Sequence, residues 1–172
     1  MIREIITYPN KLLREKSVDV ELFDEHLHTL LDDMYETMIA YKGVGLAAIQ
    51  VGIKENVLII SVPNEEDEQD KESTIEAINP IITHKDGLQL FVEGCLSVPG
   101  FNEEVKRAEH IVVEYQDRFG NKQTMEADEF LAVAWQHEME HLEGHLFIEK
   151  LSLNKRKKFE KEYKKFMKTK KL

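Results

Sequence analysis

The sequence predicts an α+β fold: antiparallel or mixed sheets packed around a central helix, with a further helix at the C-terminus. Three observations carry this. Segments of strand character between about residues 56 and 126 are bracketed by two stretches of helical periodicity. The later helix, from about Asp128, puts Phe130, Val133, Ala134, His137 and His141 on one face, so its histidines share the stripe that faces the core. The closing stretch, NKRKKFEKEYKKFMKTKKL, is a separate, strongly basic helix.

Each element has its own signature. From Asp24 to Tyr41, residues Leu27, Leu30, Leu31, Met34, Met38 and Ile39 follow helical spacing, with Asp24 to cap the start and Gly43 to end it. Asn56–Val62 reads as a strand, and the acidic PNEEDEQDKES after it as a solvated loop. Ile75–Thr83, broken at Asn79-Pro80, and Leu88–Glu93 are further strands. His110–Gln116 and Lys122–Glu126 flank DRFGN, a hairpin with its turn near Gly120.

At 172 residues, 42% hydrophobic and 33% charged, the chain suits one globular domain with a core of its own. No apolar run approaches a membrane span, and the opening MIREIITYPNKLLREKSV lacks the apolar centre of a signal peptide. The single cysteine, Cys95, can form no internal disulfide. A cytoplasmic protein without membrane contact is the expectation. The net charge of −10 is uneven: residues 154–172 hold ten Lys or Arg against two Glu, a net of +8, which leaves −18 for residues 1–153.

QHEMEHLEGHL, residues 136–146, contains H-E-x-x-H. Residues four apart stack on one helix face, so His137 and His141 can reach one divalent ion. A catalytic centre of the zinc type takes a third protein ligand and keeps a position for water. The extended H-E-x-x-H-x-x-G-x-x-H pattern fails, because Gly144 matches but Phe147 stands at the last histidine. A thermolysin-like site would need a later glutamate; Glu149 follows too closely, and Glu160 and Glu162 lie in the basic tail. Cys95, in EGCLSVPG after a strand, is the better candidate, although a lone cysteine is more often a small buried hydrophobe. GVGLAAIQVG, residues 43–52, lacks the Lys-Ser/Thr of a phosphate-binding loop; its small residues permit close backbone approach, and Gln50 supplies an amide donor.

Together these three stretches resemble the peptide deformylase family, which carries G-x-G-L-A-A-x-Q, E-G-C-L-S and Q-H-E-x-x-H-L in this order. Gly43–Gln50, Glu93–Ser97 and Gln136–Leu142 match them, and YPNKLLR, DMYETM and INP extend the similarity over nearly the whole chain. The resemblance implies hydrolysis of the N-formyl group from the N-terminal methionine of newly made polypeptides, with release of formate. It implies one divalent metal ion, ferrous iron first with zinc or nickel as alternatives, held by Cys95, His137 and His141. In the implied mechanism the ion acidifies a water, Glu138 takes its proton as general base and later returns it as acid, and Gln50 and the Leu96 N–H hold the formyl oxygen. Val44, Gly45 and Gly94 would meet the peptide, with Val44, Val133 and Ala134 lining an apolar slot for methionine. Two positions depart from the family: Glu140 replaces the usual Asp with a carboxylate one methylene longer, which leaves open any supporting contact there, such as one to Arg107, and Trp135 replaces a smaller aliphatic and is expected to pack away from the site.

Residues 1–153 are thus expected to form the catalytic domain, with 154–172 a basic helix of the same domain. Phe159, Tyr163 and Phe166 recur at spacings of four and three on one face of that helix, with lysines elsewhere. Either this face docks the helix on the domain, or the helix binds ribosomal RNA or protein. On the second reading, deleting 154–172 should leave hydrolysis of a short formyl-Met peptide nearly unchanged. The other readings of the chain are a thermolysin-like metallopeptidase and a ribosome- or RNA-binding protein without catalysis.

Overall fold

A computed structural model describes residues 1–170. The chain order is α1 (Glu25–Ala40), β1 (Gly45–Ala47), β2 (Val57–Ile60), β3 (Ile75–Asp86), β4 (Gln89–Cys95), β5 (Val98–Arg107), β6 (His110–Gln116), β7 (Lys122–Asp128), α2 (Glu129–Leu142) and α3 (Leu153–Lys170). Strands β1-β2-β3-β6-β7 form one antiparallel sheet in that order, and β4-β5 form a separate antiparallel hairpin.

Strand β2 explains how the layers assemble. Successive side chains of a strand point to opposite faces. Val57 and Ile59 therefore pack with Leu27, Leu30, Leu31, Met34 and Met38 of α1. Leu58 and Ile60 pack on the other face with Ala132, Trp135 and Leu142 of α2. With a helix on each face the strand is buried along its whole length, which is why VLII is unbroken apolar sequence rather than alternating. The β4-β5 hairpin lies against the other side of α2, so the H-E-x-x-H helix is enclosed between two β layers as the sequence predicts.

Several details differ from the sequence expectations. Helix α1 starts as predicted, with the Asp24 carboxylate accepting from the Leu27 N–H at 3.2 Å. It ends one residue early, however: Lys42, at φ +59°, takes the left-handed position, and the Gly43 N–H closes the turn on the Met38 carbonyl at 2.9 Å. Asn79-Pro80 does not break the third strand. It makes a register shift between Ile78 and Ile81, with Asn79 at φ +53° and its side-chain amide donating to the Val20 carbonyl and Gln116 Oε1. The glycine-rich stretch holds the short β1, and Val98–Arg107, which carries no strand signature, is the longer arm of the second hairpin.

The basic helix α3 docks by its aromatic face. Phe159 and Tyr163 are buried in a cluster with Tyr8, Phe101 and Phe147, while Phe166 stays partly exposed. Phe101 meets Phe159 edge-on at 4.6 Å between ring centroids, and the Tyr8 hydroxyl donates to Glu160 at 2.8 Å. Lys171 and Leu172, the last residues of the expected basic helix, lie outside the described residues.

Candidate active site

A cavity of about 720 Å³ opens between β1, α2 and the β4-β5 hairpin. Val44, Gly45, Gln50, Gly94, Cys95, Leu96, Val133, Ala134, His137 and Glu138 all line it, so the residues singled out from three distant stretches meet around one space. His141 sits behind that wall and is 1% exposed. Phe91 and Phe130 add apolar wall, with ring centroids 5.3 Å apart, and neither was assigned to the site from sequence.

At the cavity floor, ligand atoms of Cys95, His137 and His141 lie within 4.8 Å of one another. The two Nε2 atoms are 3.3 Å apart, and the Cys95 Sγ is 3.3 Å from the His141 Nε2. A tetrahedron with metal–nitrogen arms of about 2.05 Å has an edge of roughly 3.3 Å. One thiol and two imidazoles at that separation are a donor set that fits a divalent transition metal. Burial opposes charge on His137, but the Cys95 sulfur and the Glu93 carboxylate outweigh it and raise this imidazole well above its usual range. His141 is pushed well below by burial, helped by the positive charges of His137 and Arg107.

His137 is oriented by a residue whose role the sequence did not reveal. Its Nδ1 faces Glu93 Oε1 at 2.8 Å, which leaves Nε2 turned toward the sulfur. Glu93 in turn accepts two hydrogen bonds from Arg107, at 2.6 and 2.8 Å, and Arg107 also pairs with Glu140. Burial works against the charge of Glu93, but Arg107 and His137 prevail and hold it below the usual carboxylate range. The contact that the longer Glu140 left open is thus made to Arg107, and Glu140 reaches Lys150 at 3.4 Å as well. Trp135 packs away from the cavity, buried beside Tyr115.

Glu138 follows His137 on α2 and is 5% exposed. Burial pushes its carboxyl up to about 7, and the nearby Glu93 adds to the effect against the pull of His137 and Arg107. Its Oε2 is buried without a hydrogen-bond partner, while Oε1 lies 3.8 Å from the His137 Nε2. A carboxyl that titrates near neutrality, with one oxygen free, is suited to carry a proton in both directions. The strand β1 makes room for it: a Cβ on Gly45 would fall 2.9 Å from the Glu138 Cγ.

A family profile described as polypeptide deformylase matches residues 2–157. The chain belongs to this family. It is 60% identical over 166 residues to a peptide deformylase of Campylobacter jejuni, covering 96% of this chain and 95% of the relative. A crystal structure of peptide deformylase from Ehrlichia chaffeensis superposes with a TM-score of 0.92 at 37% identity, over 100% of both chains. A Met-Ala-Ser-bound peptide deformylase from Acinetobacter baumannii gives 0.81 at 32% identity, over 88% of this chain and 99% of the other. Deformylases remove the formyl group from the N-terminal methionine of nascent polypeptides in a metal-dependent hydrolysis, and this chain is such a hydrolase. The thermolysin-like and non-catalytic readings of the sequence fall with this assignment. Among the described residues, no helix is long and apolar enough to cross a membrane.

Proposed function

We propose that Cys95, His137 and His141 hold the metal and that Glu138 moves the protons of deformylation. The mutual distances of the three donor atoms carry this reading. When bound there, a divalent ion would lower the pKa of a water and polarise the formyl carbonyl. Glu138 accepts a proton from the attacking water and delivers it to the departing amine, a return trip favoured by a carboxyl near 7. The Gln50 amide and the Leu96 N–H receive the negative charge that develops on the formyl oxygen. Val44, Gly45 and Gly94 present backbone to the extended peptide, and Val44, Val133 and Ala134 take the methionine side chain. Formate release from formyl-Met-Ala-Ser, set beside its absence from unformylated peptide digests, tests this function; peptide-bond cleavage without formate would overturn it.

Ferrous iron is the proposed ion, with zinc and nickel the alternatives that the same donors accept. Protein loaded with iron should lose activity in air faster than protein loaded with nickel, because iron oxidises and Cys95 is exposed to the same oxidants. Equal lifetimes of the two forms under air would count against iron.

We further propose a cytoplasmic enzyme in which residues 1–153 form the catalytic domain and 154–172 a basic helix of that domain that meets the ribosome. Docking by Phe159 and Tyr163 leaves Lys157, Lys161, Lys164, Lys165 and Lys168 exposed, and a +8 segment suits a polyphosphate surface. Binding should weaken steeply as salt rises. Glutamate at positions 157, 161 and 164 together should release the enzyme from ribosomes in co-sedimentation while peptide turnover holds. Unchanged sedimentation would leave the helix a purely structural part.

A further inference from the structure

Ser97 is wholly buried and has no part in the roles assigned above. It lies at the turn after β4, directly behind the side chain of Gln50. That amide is held at both ends. Its Oε1 accepts from the Ala47 N–H at 2.9 Å, which fixes which way round the group is turned. The Nε2 donates to the Ser97 Oγ at 3.0 Å and faces the Cys95 Sγ at 3.6 Å. A primary amide has two N–H groups. With one engaged by Ser97, the other is directed to the cysteine side, where the cavity floor lies.

Ser97 is itself pinned by main-chain bonds. Its carbonyl accepts from the Tyr8 N–H at 2.7 Å, and the Tyr8 carbonyl accepts from the Tyr163 hydroxyl at 2.7 Å, which ties the strut to α3. The neighbouring Ile6 N–H donates to the Gln50 carbonyl at 2.8 Å, so one N-terminal strap holds the backbone of both partners. The last torsion of a glutamine side chain is broad, and its orientation comes from its partners rather than from a staggered well. Removing the serine hydroxyl takes away one of those partners and leaves a buried N–H unsatisfied.

We infer that Ser97 is a positioning residue for deformylation: its hydroxyl keeps the Gln50 amide in the one orientation that aims an N–H at the formyl oxygen. The inference rests on Gln50 acting as an oxyanion donor. A donor that acts on charge developed in the transition state affects kcat more than KM. Misalignment should cost less than removal, which for one such donor is about 10²–10³-fold.

The test is a double-mutant cycle on metal-loaded protein, with metal content, melting temperature, kcat and KM measured on formyl-Met-Ala-Ser. Ser97→Ala should lower kcat about tenfold with KM within about twofold and metal content unchanged. In a Gln50→Ala background the same change should cost less than about twofold in kcat. Ser97→Thr keeps the hydroxyl, so it should retain more kcat than Ser97→Ala even though its extra methyl, in a site with no exposure, lowers the melting temperature. A role in packing alone gives the opposite order, with Thr the worse variant, and additive losses in the cycle; either result overturns the inference. Impaired Gln50→Ala beside a fully active Ser97→Ala would overturn it while leaving the Gln50 assignment intact. A fully active Gln50→Ala would remove that assignment and the inference together.

Discussion

Cys95→Ala will lose its metal and its deformylase activity together, whereas Glu138→Ala will keep the metal and lose turnover by roughly 10²–10⁴-fold. The two side chains face the same cavity but differ in what they touch. Cys95 lies 3.3 Å from the His141 Nε2, within the cluster of donor atoms. Without it two imidazoles remain, one protein ligand short of the three that such a centre takes. The Glu138 carboxylate is outside the cluster, with its Oε2 unpaired, so its loss would remove the proposed proton carrier and none of the clustered donor atoms. Elemental analysis beside formate release separates the two outcomes. A metal-replete, active Cys95→Ala enzyme would sink the ligand assignment.

Truncation of Phe159 to alanine should destabilise the fold by about 3–5 kcal/mol, the usual loss for a buried phenylalanine. This side chain has no exposure and is packed among the rings of Tyr8, Phe101 and Tyr163. Deleting residues 154–172 removes Tyr163 as well and opens the whole cluster to water, including the side of it on which Cys95 packs. The structure therefore revises the expectation that the tail can be removed with peptide hydrolysis nearly unchanged: the truncated chain should melt early and lose activity with its fold. Chemical denaturation of Phe159→Ala and of the truncation reads this directly. A midpoint like that of the intact chain for both would mean that the third core cluster contributes little.

What could be read from the sequence was whatever repeats locally. Helical spacing located α1 and α2, strand character located β2 and the β6-β7 hairpin, and three ordered motifs named the cavity residues. Strand β5 escaped because half of VPGFNEEVKR is polar and its three large apolar residues stand at spacings of three and four. From Phe101 onward an alternation appears in burial, with Phe101, Val105 and Arg107 inward, and one inward residue is a charge. Arg107 is buried because Glu93 and Glu140 neutralise it, and those partners come from another strand and from α2. No local pattern reports such a pairing. Glu93 was visible inside its motif, but its hold on His137 spans 44 positions and needed the fold to bring them together. The destination of the basic helix was legible only in half. The spacing of Phe159 and Tyr163 showed a face, and the coordinates supplied what that face covers.

The close approach of Gly45 to Glu138 bears on how this enzyme could evade an inhibitor. Any side chain at position 45 would occupy the space of the Glu138 side chain. A compound that hydrogen-bonds to the Gly45 backbone therefore grips a surface with little freedom to mutate. A substitution there that blocks the drug also displaces the Glu138 carboxylate, the proposed proton carrier. Escape variants should arise instead at residues whose side chains face the cavity without touching Glu138.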